Sequence, residues 1–261
     1  MVWMKELEIA KVAAIEAGKA IMKVYCGEAP MEVEYKEDRS PLTAADKAAN
    51  QIIVETLRSR FPQYAILSEE EKDNRSRLDR ACCFVIDPLD GTKEFLKRNG
   101  QFTVNIALAY EHESVMGVIY VPVTGELYYA AKGYGAYKKM SDGEPEKLSV
   151  SDHIDRESLR VVASSSHESP QMNDLIERYQ LKNLVKMGSS LKGCMIAEGK
   201  ADVYYRFNPT MEWDTAAMQC IVEEAGAIFR QMDGTVMRYN REDSLNSKGF
   251  YIVNRKENLL L

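Results

Sequence analysis

Between Met4 and Tyr25 the apolar positions fall at Leu7, Ala10, Ala14, Ala17, Ile21 and Val24. Steps of three and four mark one face of an α-helix, and Cys26-Gly27 supplies a stop. A second helix is expected from about Thr43 to Arg60, with Ile52, Ile53 and Leu57 on its apolar face and Phe61-Pro62 ending it. The polar stretch Pro30 to Pro41 between them reads as extended or loop-like. The pattern then shortens. Ala65-Ile66-Leu67 and Cys82 to Ile86 are apolar runs of strand length, separated by a charged stretch, Asp73 to Arg80, expected to be solvated surface. Thr92 to Arg98 is helical or turn-like. From Phe102 to Lys138 four β-rich runs are punctuated by Gly117, Gly125, Gly133 and Gly135, which predicts an antiparallel meander.

Ser141 to Pro145 is turn-rich and is the expected boundary between two domains, residues 1–145 and 146–261. Beyond it strands and helices alternate. Strands are expected at Leu159 to Ala163, Leu184 to Met187, Ala201 to Phe207, Ala227 to Gln231 and Phe250 to Val253. Helices are expected at Pro170 to Tyr179, Ser190 to Glu198 and Glu212 to Ala225. The fold class is thus an α+β N-terminal half followed by an α/β C-terminal half.

Composition removes several classes of function. A net charge of −6 without a basic block argues against binding a nucleic-acid polymer. No run approaches the ~18 apolar residues of a membrane span, and Met1 to Lys11 lacks the apolar centre of a signal peptide. Five cysteines, with no zinc-type pair, suit reduced thiols in a cytoplasmic protein. Loose attachment to the inner face of a membrane, and the choice between monomer and homodimer, are left open.

The chemistry centres on Asp87-Pro88-Leu89-Asp90-Gly91-Thr92, which follows the strand Cys82 to Ile86. Clustered carboxylates at a strand end repel unless a cation lies between them, and hard oxygen ligands suit Mg²⁺ with a phosphate-bearing substrate. Asp-Pro and Asp-Gly are also ordinary turn chemistry, so this string alone leaves both readings open. Glu69-Glu70-Glu71 follows the preceding strand; if the two strands pair, Glu69 and Asp87 could share an ion. Asp46 completes a capping box with Thr43, and Asp214 lies in the first turn of a helix, so each has a capping role as an alternative. Ser164-Ser165-Ser166-His167 and Gly188-Ser189-Ser190 follow strands and could meet an anion, although Ser189 or Ser190 could equally be an N-cap. Lys192 and Arg206 are surface residues by default and would supply positive charge to an anionic substrate.

Leu67-Ser68-Glu69-Glu70, Asp87 to Thr92 and Trp213-Asp214-Thr215-Ala216-Ala217 occur here in the order seen in the lithium-sensitive, Mg²⁺-dependent inositol monophosphatase superfamily, and the resemblance covers nearly the whole chain. The continuation Lys93-Glu94-Phe95 to Thr103-Val104-Asn105, the Ser-His and Gly-Ser-Ser-Leu-Lys segments and Tyr204-Tyr205-Arg206-Phe207 resemble its branch of CysQ-type 3′(2′),5′-bisphosphate nucleotidases. The resemblance implies a layered αβαβα sandwich with the site between the halves. It implies hydrolysis of adenosine 3′,5′-bisphosphate to AMP and phosphate, with 3′-phosphoadenylyl sulfate as a related substrate, in sulfate assimilation. Inositol phosphates or other sugar phosphates are the nearest alternative substrates, and a non-catalytic nucleotide sensor the alternative of another class. By the same resemblance Glu69, Asp87, Asp90, Asp214 and the Leu89 carbonyl hold two or three Mg²⁺ ions, and Asp46 and Thr92 prepare the attacking water. Gly91 and Thr92 meet the scissile phosphate, and Ser166, His167, Ser189, Ser190, Lys192 and Arg206 meet the nucleotide or its second phosphate. Glu71 departs from the motif as a third acid.

Overall fold

The computed structural model describes residues 3–35, 41–165 and 169–260. The first helix, α1 (Met4–Tyr25), spans the predicted residues, and its small apolar face lets α2 (Ala44–Arg60) pack closely beside it. Between them lies a hairpin of two short strands, β1 (Val33–Tyr35) and β2 (Pro41–Thr43), too short and polar to show in the apolar pattern. The strands β3 (Ala65–Ser68), β4 (Cys82–Asp90), β5 (Thr103–Tyr110), β6 (Glu113–Val121), β7 (Glu126–Ala131), β8 (Gly135–Lys139) and β9 (Glu146–Lys147) form a seven-stranded sheet in that order. β3 and β4 are parallel and every later pair is antiparallel, which is the predicted meander. The turn at 141–145 lies between β8 and β9, so this sheet continues two residues past the expected domain boundary.

The remaining elements are β10 (Arg160–Ser164), α4 (Pro170–Tyr179), β11 (Asn183–Met187), α5 (Leu191–Ala197), β12 (Val203–Arg206), β13 (Thr210–Met211), α6 (Glu212–Glu224), β14 (Ile228–Gln231), β15 (Leu245–Asn246) and β16 (Phe250–Val253); a five-residue helix, α3 (Thr92–Leu96), follows β4. The second sheet runs β11-β10-β12-β16-β14, with β10 parallel to both neighbours and the other pairs antiparallel. Strand alternation builds the layers. Phe84 and Ile86 pack with α1 and α2, whereas Cys83 and Val85 pack with α5 and α6 on the opposite face. The second sheet presents Val162, Tyr204 and Ile252 to the same two helices and Val161, Val203 and Val253 to α4. The result is the layered αβαβα sandwich, with α5 and α6 enclosed between the sheets.

The charged stretch Asp73 to Arg80 is surface as expected, except at one residue. Arg77 within it is only 2% exposed. Its guanidinium pairs with Asp73 at 2.8 Å and donates to Asn240 Oδ1 at 3.0 Å. A run of charges gives no sign that a partner 163 residues away will cover one of them.

α6 approaches the first sheet closely because β6 has glycine at 117. A Cβ there would lie 2.4 Å from the Ala217 carbonyl oxygen, a backbone atom that cannot step aside alone. Gly117→Ala should therefore push α6 outward and lower stability by about 1–3 kcal/mol, the usual cost of overpacking. Urea unfolding reads that loss, and an unchanged midpoint would show that α6 is free to shift.

Candidate active site

The site is assembled where β3, β4 and the start of α6 converge. The parallel register aligns Ser68 with Ile86, and the Glu69 N–H continues the ladder onto the Ile86 carbonyl at 3.1 Å. Glu69 thereby stands beside Asp87, as strand pairing required. β4 does not end at Ile86 but extends through Asp90. Asp87 aligns with Asn105 and Asp90 with Thr103, so three steps on β4 match two on β5. This extra residue is a β-bulge. It re-aims carboxylates that a regular strand would send to opposite faces.

Carboxylate oxygens of Asp87, Asp90 and Asp214 lie within 4.8 Å of one another. Burial, reinforced by the negative charges of Glu69, Asp90 and Asp214, holds the Asp87 carboxyl well above the usual carboxylate range. Burial and the neighbouring Asp90 raise Asp214 to about 7, against a hydrogen bond from the Met211 N–H at 2.7 Å. An all-oxygen donor set whose members repel one another fits a hard divalent cation. Glu71 turns away and pairs with Arg58 at 2.7 Å on the surface.

Asp46 and Thr92 meet although they are 46 residues apart. Asp46 Oδ2 accepts from the Thr43 N–H at 2.7 Å, closing the capping box of α2, while Thr92 Oγ1 donates to Oδ1 in a long hydrogen bond of 3.4 Å. Burial raises the Asp46 carboxyl above its ordinary value, more than the Thr43 contacts lower it. Thr92 follows Gly91, whose φ of +93° only glycine adopts at little cost. The cap and the site contact use different oxygens of one carboxylate, so the two readings of Asp46 hold together.

Glu69, Asp90, Gly91, Thr92 and Asp214 line a cleft of about 460 Å³ between the two halves, while Asp46 and Asp87 are buried in its wall. The cleft is also lined by Lys192, Arg206, Trp213 and Tyr204. Burial lowers the Lys192 ammonium to about 8, opposed by the charge of Asp90. Arg206 Nε is buried with no hydrogen-bond partner among the described residues. That N–H is shut off from solvent, so what Arg206 offers an anion in the cleft is the charge and the rest of its guanidinium. Ser166 and His167 lie outside the described residues.

Ser189 and Ser190 take a position that their local sequence does not indicate. Ser190 precedes α5, yet its side chain makes no capping bond. Both hydroxyls donate instead to Asp90 Oδ2, at 2.8 and 2.9 Å. Asn105 donates to the same oxygen at 3.2 Å, and Thr103 stands behind Asn105. The sequence reading gave Thr103 and Asn105 no role. Their signal was two polar residues at alternate positions of an otherwise apolar strand.

The fold is a layered αβαβα sandwich whose clustered, mutually repelling carboxylates could hold a metal ion. The chain belongs to the inositol monophosphatase family, whose model matches residues 3–260. It is 43% identical over 243 residues to the 3′(2′),5′-bisphosphate nucleotidase CysQ of Salmonella typhimurium, covering 92% of this chain and 96% of that one. The CysQ nucleotidase of Escherichia coli K12 is 42% identical over 242 residues, covering 92% and 96%. The crystal structure of CysQ from Bacteroides thetaiotaomicron matches with a TM-score of 0.84 and 42% identity, over 98% of this chain and 99% of that one.

The raised carboxyls give a signed expectation. In the metal-free protein, folded Asp87 and Asp214 retain protons that the unfolded chain releases near pH ~4, so their contribution to stability falls as pH rises from there toward the folded values. A bound cation removes the repulsion. Thermal unfolding of chelated protein should show Mg²⁺ raising Tm more at about pH 7.5 than at about pH 5.5, where part of the cluster is protonated. Equal shifts at both pH values would count against a shared carboxylate site.

Proposed function

We infer that the protein is a Mg²⁺-dependent 3′(2′),5′-bisphosphate nucleotidase. It hydrolyses the 3′-phosphate of adenosine 3′,5′-bisphosphate, giving AMP and phosphate, and accepts 3′-phosphoadenylyl sulfate as a related substrate. The observation that carries the reading is a cleft lined by Thr92, Asp90, Asp214, Lys192 and Arg206, with Asp46 hydrogen-bonded to Thr92 and Asp87 clustered with Asp90 and Asp214 in its wall.

Glu69, Asp87, Asp90, Asp214 and the Leu89 carbonyl would hold two or three Mg²⁺ ions. When bound, Mg²⁺ supplies neutralisation of phosphate oxygens, acidification of water and stabilisation of the departing 3′-oxygen. The chain's own residues do the rest. Thr92 Oγ1 lies 3.4 Å from both Asp46 Oδ1 and the Leu89 carbonyl; with that carbonyl turned to a cation its proton would go to Asp46, which would leave its lone pairs to accept from the attacking water. Asp46, made more basic by burial, takes the proton that moves through Thr92. The water oxygen bonds to phosphorus as the P–O3′ bond breaks, in line and without a phosphoenzyme. Arg206 and Lys192 hold the second phosphate, which a simple monoester lacks. Ser189 and Ser190 reach the ligand only at its edge, their hydroxyls being turned to Asp90. The five free cysteines suit a reducing, cytoplasmic setting, with loose attachment to the inner face of a membrane compatible with it. Among the described residues no helix is long and apolar enough to cross a membrane.

Phosphate release should show a higher kcat/KM for adenosine 3′,5′-bisphosphate than for inositol 1-phosphate, with inhibition by Li⁺ in the millimolar range. A preference for the inositol ester would transfer the protein to the sugar-phosphate branch, and nucleotide binding without turnover would make it a sensor. Asp46→Asn and Thr92→Val should each lower kcat roughly 10²- to 10⁴-fold, the range for loss of general base catalysis, while Mg²⁺ still raises Tm. Near-normal kcat in both would remove the pair from the mechanism.

A further inference from the structure

The buried polar side chains of β5 have no part in the chemistry above. We propose that Asn105, held in turn by Thr103, is a positioning residue that fixes the Asp90 carboxylate and thereby sets the cation affinity of the cleft. The proposal rests on the metal-dependent reading of the site.

Asn105 and Thr103 are 1% and 0% exposed and do not line the cleft, so neither can touch a substrate in it. They stand directly across the ladder from the bulge, opposite Asp87 and Asp90. Asn105 Nδ2 donates to Asp90 Oδ2 at 3.2 Å and to Ser190 Oγ at 2.9 Å. Its Oδ1 accepts from Thr103 Oγ1 at 2.8 Å. Thr103 directs its one proton at Asn105, so in its 2.5 Å contact with Ser189 Oγ the donor is Ser189, which has Thr103 and Asp90 Oδ2 as competing acceptors, while Ser190 donates to Asp90 Oδ2 alone and completes the ring. The amide orientation follows from its neighbours: flipped, it would set its carbonyl oxygen against a carboxylate oxygen.

Asn105 and Ser190 donate to Oδ2 and Ser189 Oγ lies 2.8 Å from it, so the two lone pairs of that oxygen are committed to the protein. A cation is then met by Oδ1, from a carboxylate that cannot rotate. Ser189 and Ser190 come from the loop before α5, where Ser189 holds a left-handed φ of +52° that a serine adopts only when its surroundings fix it. The orientation of Asp90 therefore depends on β5 and on the C-terminal half together. Without Asn105, Ser190 loses its own donor and Thr103 its acceptor, and the ring opens.

The test uses Asn105→Leu and Thr103→Val, which keep shape and remove the polar atoms, with Thr103→Ser as the conservative rescue. Mg²⁺ affinity is measured calorimetrically on chelated full-length protein, without substrate. Asn105→Leu is expected to weaken Mg²⁺ binding about 10- to 100-fold, the usual cost of losing a partner that orients a metal ligand. Thr103→Val should weaken it less, Thr103→Ser should restore it, and kcat should recover largely at saturating Mg²⁺. Wild-type Mg²⁺ affinity in both Asn105→Leu and Thr103→Val, even with a lowered Tm, would reduce the ring to ordinary packing and overturn the proposal. So would wild-type protein that binds no Mg²⁺. Wild-type protein that binds Mg²⁺ but leaves bisphosphate nucleotides intact would defeat the functional reading alone, because the affinity series still decides the role of Asn105.

Discussion

Everything in this molecule is arranged around a repulsion. Asp87, Asp90 and Asp214 bring carboxylate oxygens within 4.8 Å of one another, with Glu69 close enough to raise Asp87 further. Buried like charges oppose folding unless protons or a cation compensate them. The scaffold therefore has to be stiff at this point, and it is. β4 lies inside the seven-stranded sheet, flanked by β3 and β5 and covered on both faces by helices. α6 delivers Asp214 from the other half and packs directly on the first sheet, Ala217 against Gly117. The stability of the two apolar interfaces holds together charges that would otherwise separate.

The site borrows its precision from structural devices. Asp46 caps α2 with one oxygen and meets Thr92 with the other. Asp214 satisfies the Met211 N–H at the start of α6 while facing the cluster. A capping carboxylate has a fixed position and a fixed rotamer, because the backbone it caps is fixed. Using caps as site groups spares the protein the conformational entropy of ordering a free side chain. It also explains why cap and site were both tenable readings of Asp46 and of Asp214: each residue does both.

What the sequence made legible follows the range of the interaction. The ends of α1, α4 and β16 match their periodic patterns because helix and strand spacing are local properties. The order of the three acidic motifs marked the metal-handling segments for the same reason. Partners distant in sequence left no such trace. Nothing near Arg77 indicated that Asn240 would bury it, and nothing near Ser189 and Ser190 indicated that their hydroxyls would turn from the cleft to Asp90. The hairpin of β1 and β2 and the pair β13–β15 were missed because two or three residues cannot establish a period.

The acidic balance of the chain and its anionic substrate are reconciled by the same geometry. A carboxylate cluster repels phosphate, so the cleft can accept an anion only with cations on both sides of it. The C-terminal half supplies one side through Arg206, whose buried Nε lacks a partner among the described residues, and Lys192, which burial has brought to about 8. Both groups are in debt to desolvation, and a doubly charged phosphate held between them relieves it. On the proposed reading, bound metal answers the carboxylates and the second phosphate answers the cations. A second phosphate adds to what Lys192 already has, the Ser189 carbonyl at 2.5 Å and the charge of Asp90, and gives the Arg206 guanidinium an anionic partner, which is the physical basis proposed for preferring a bisphosphate.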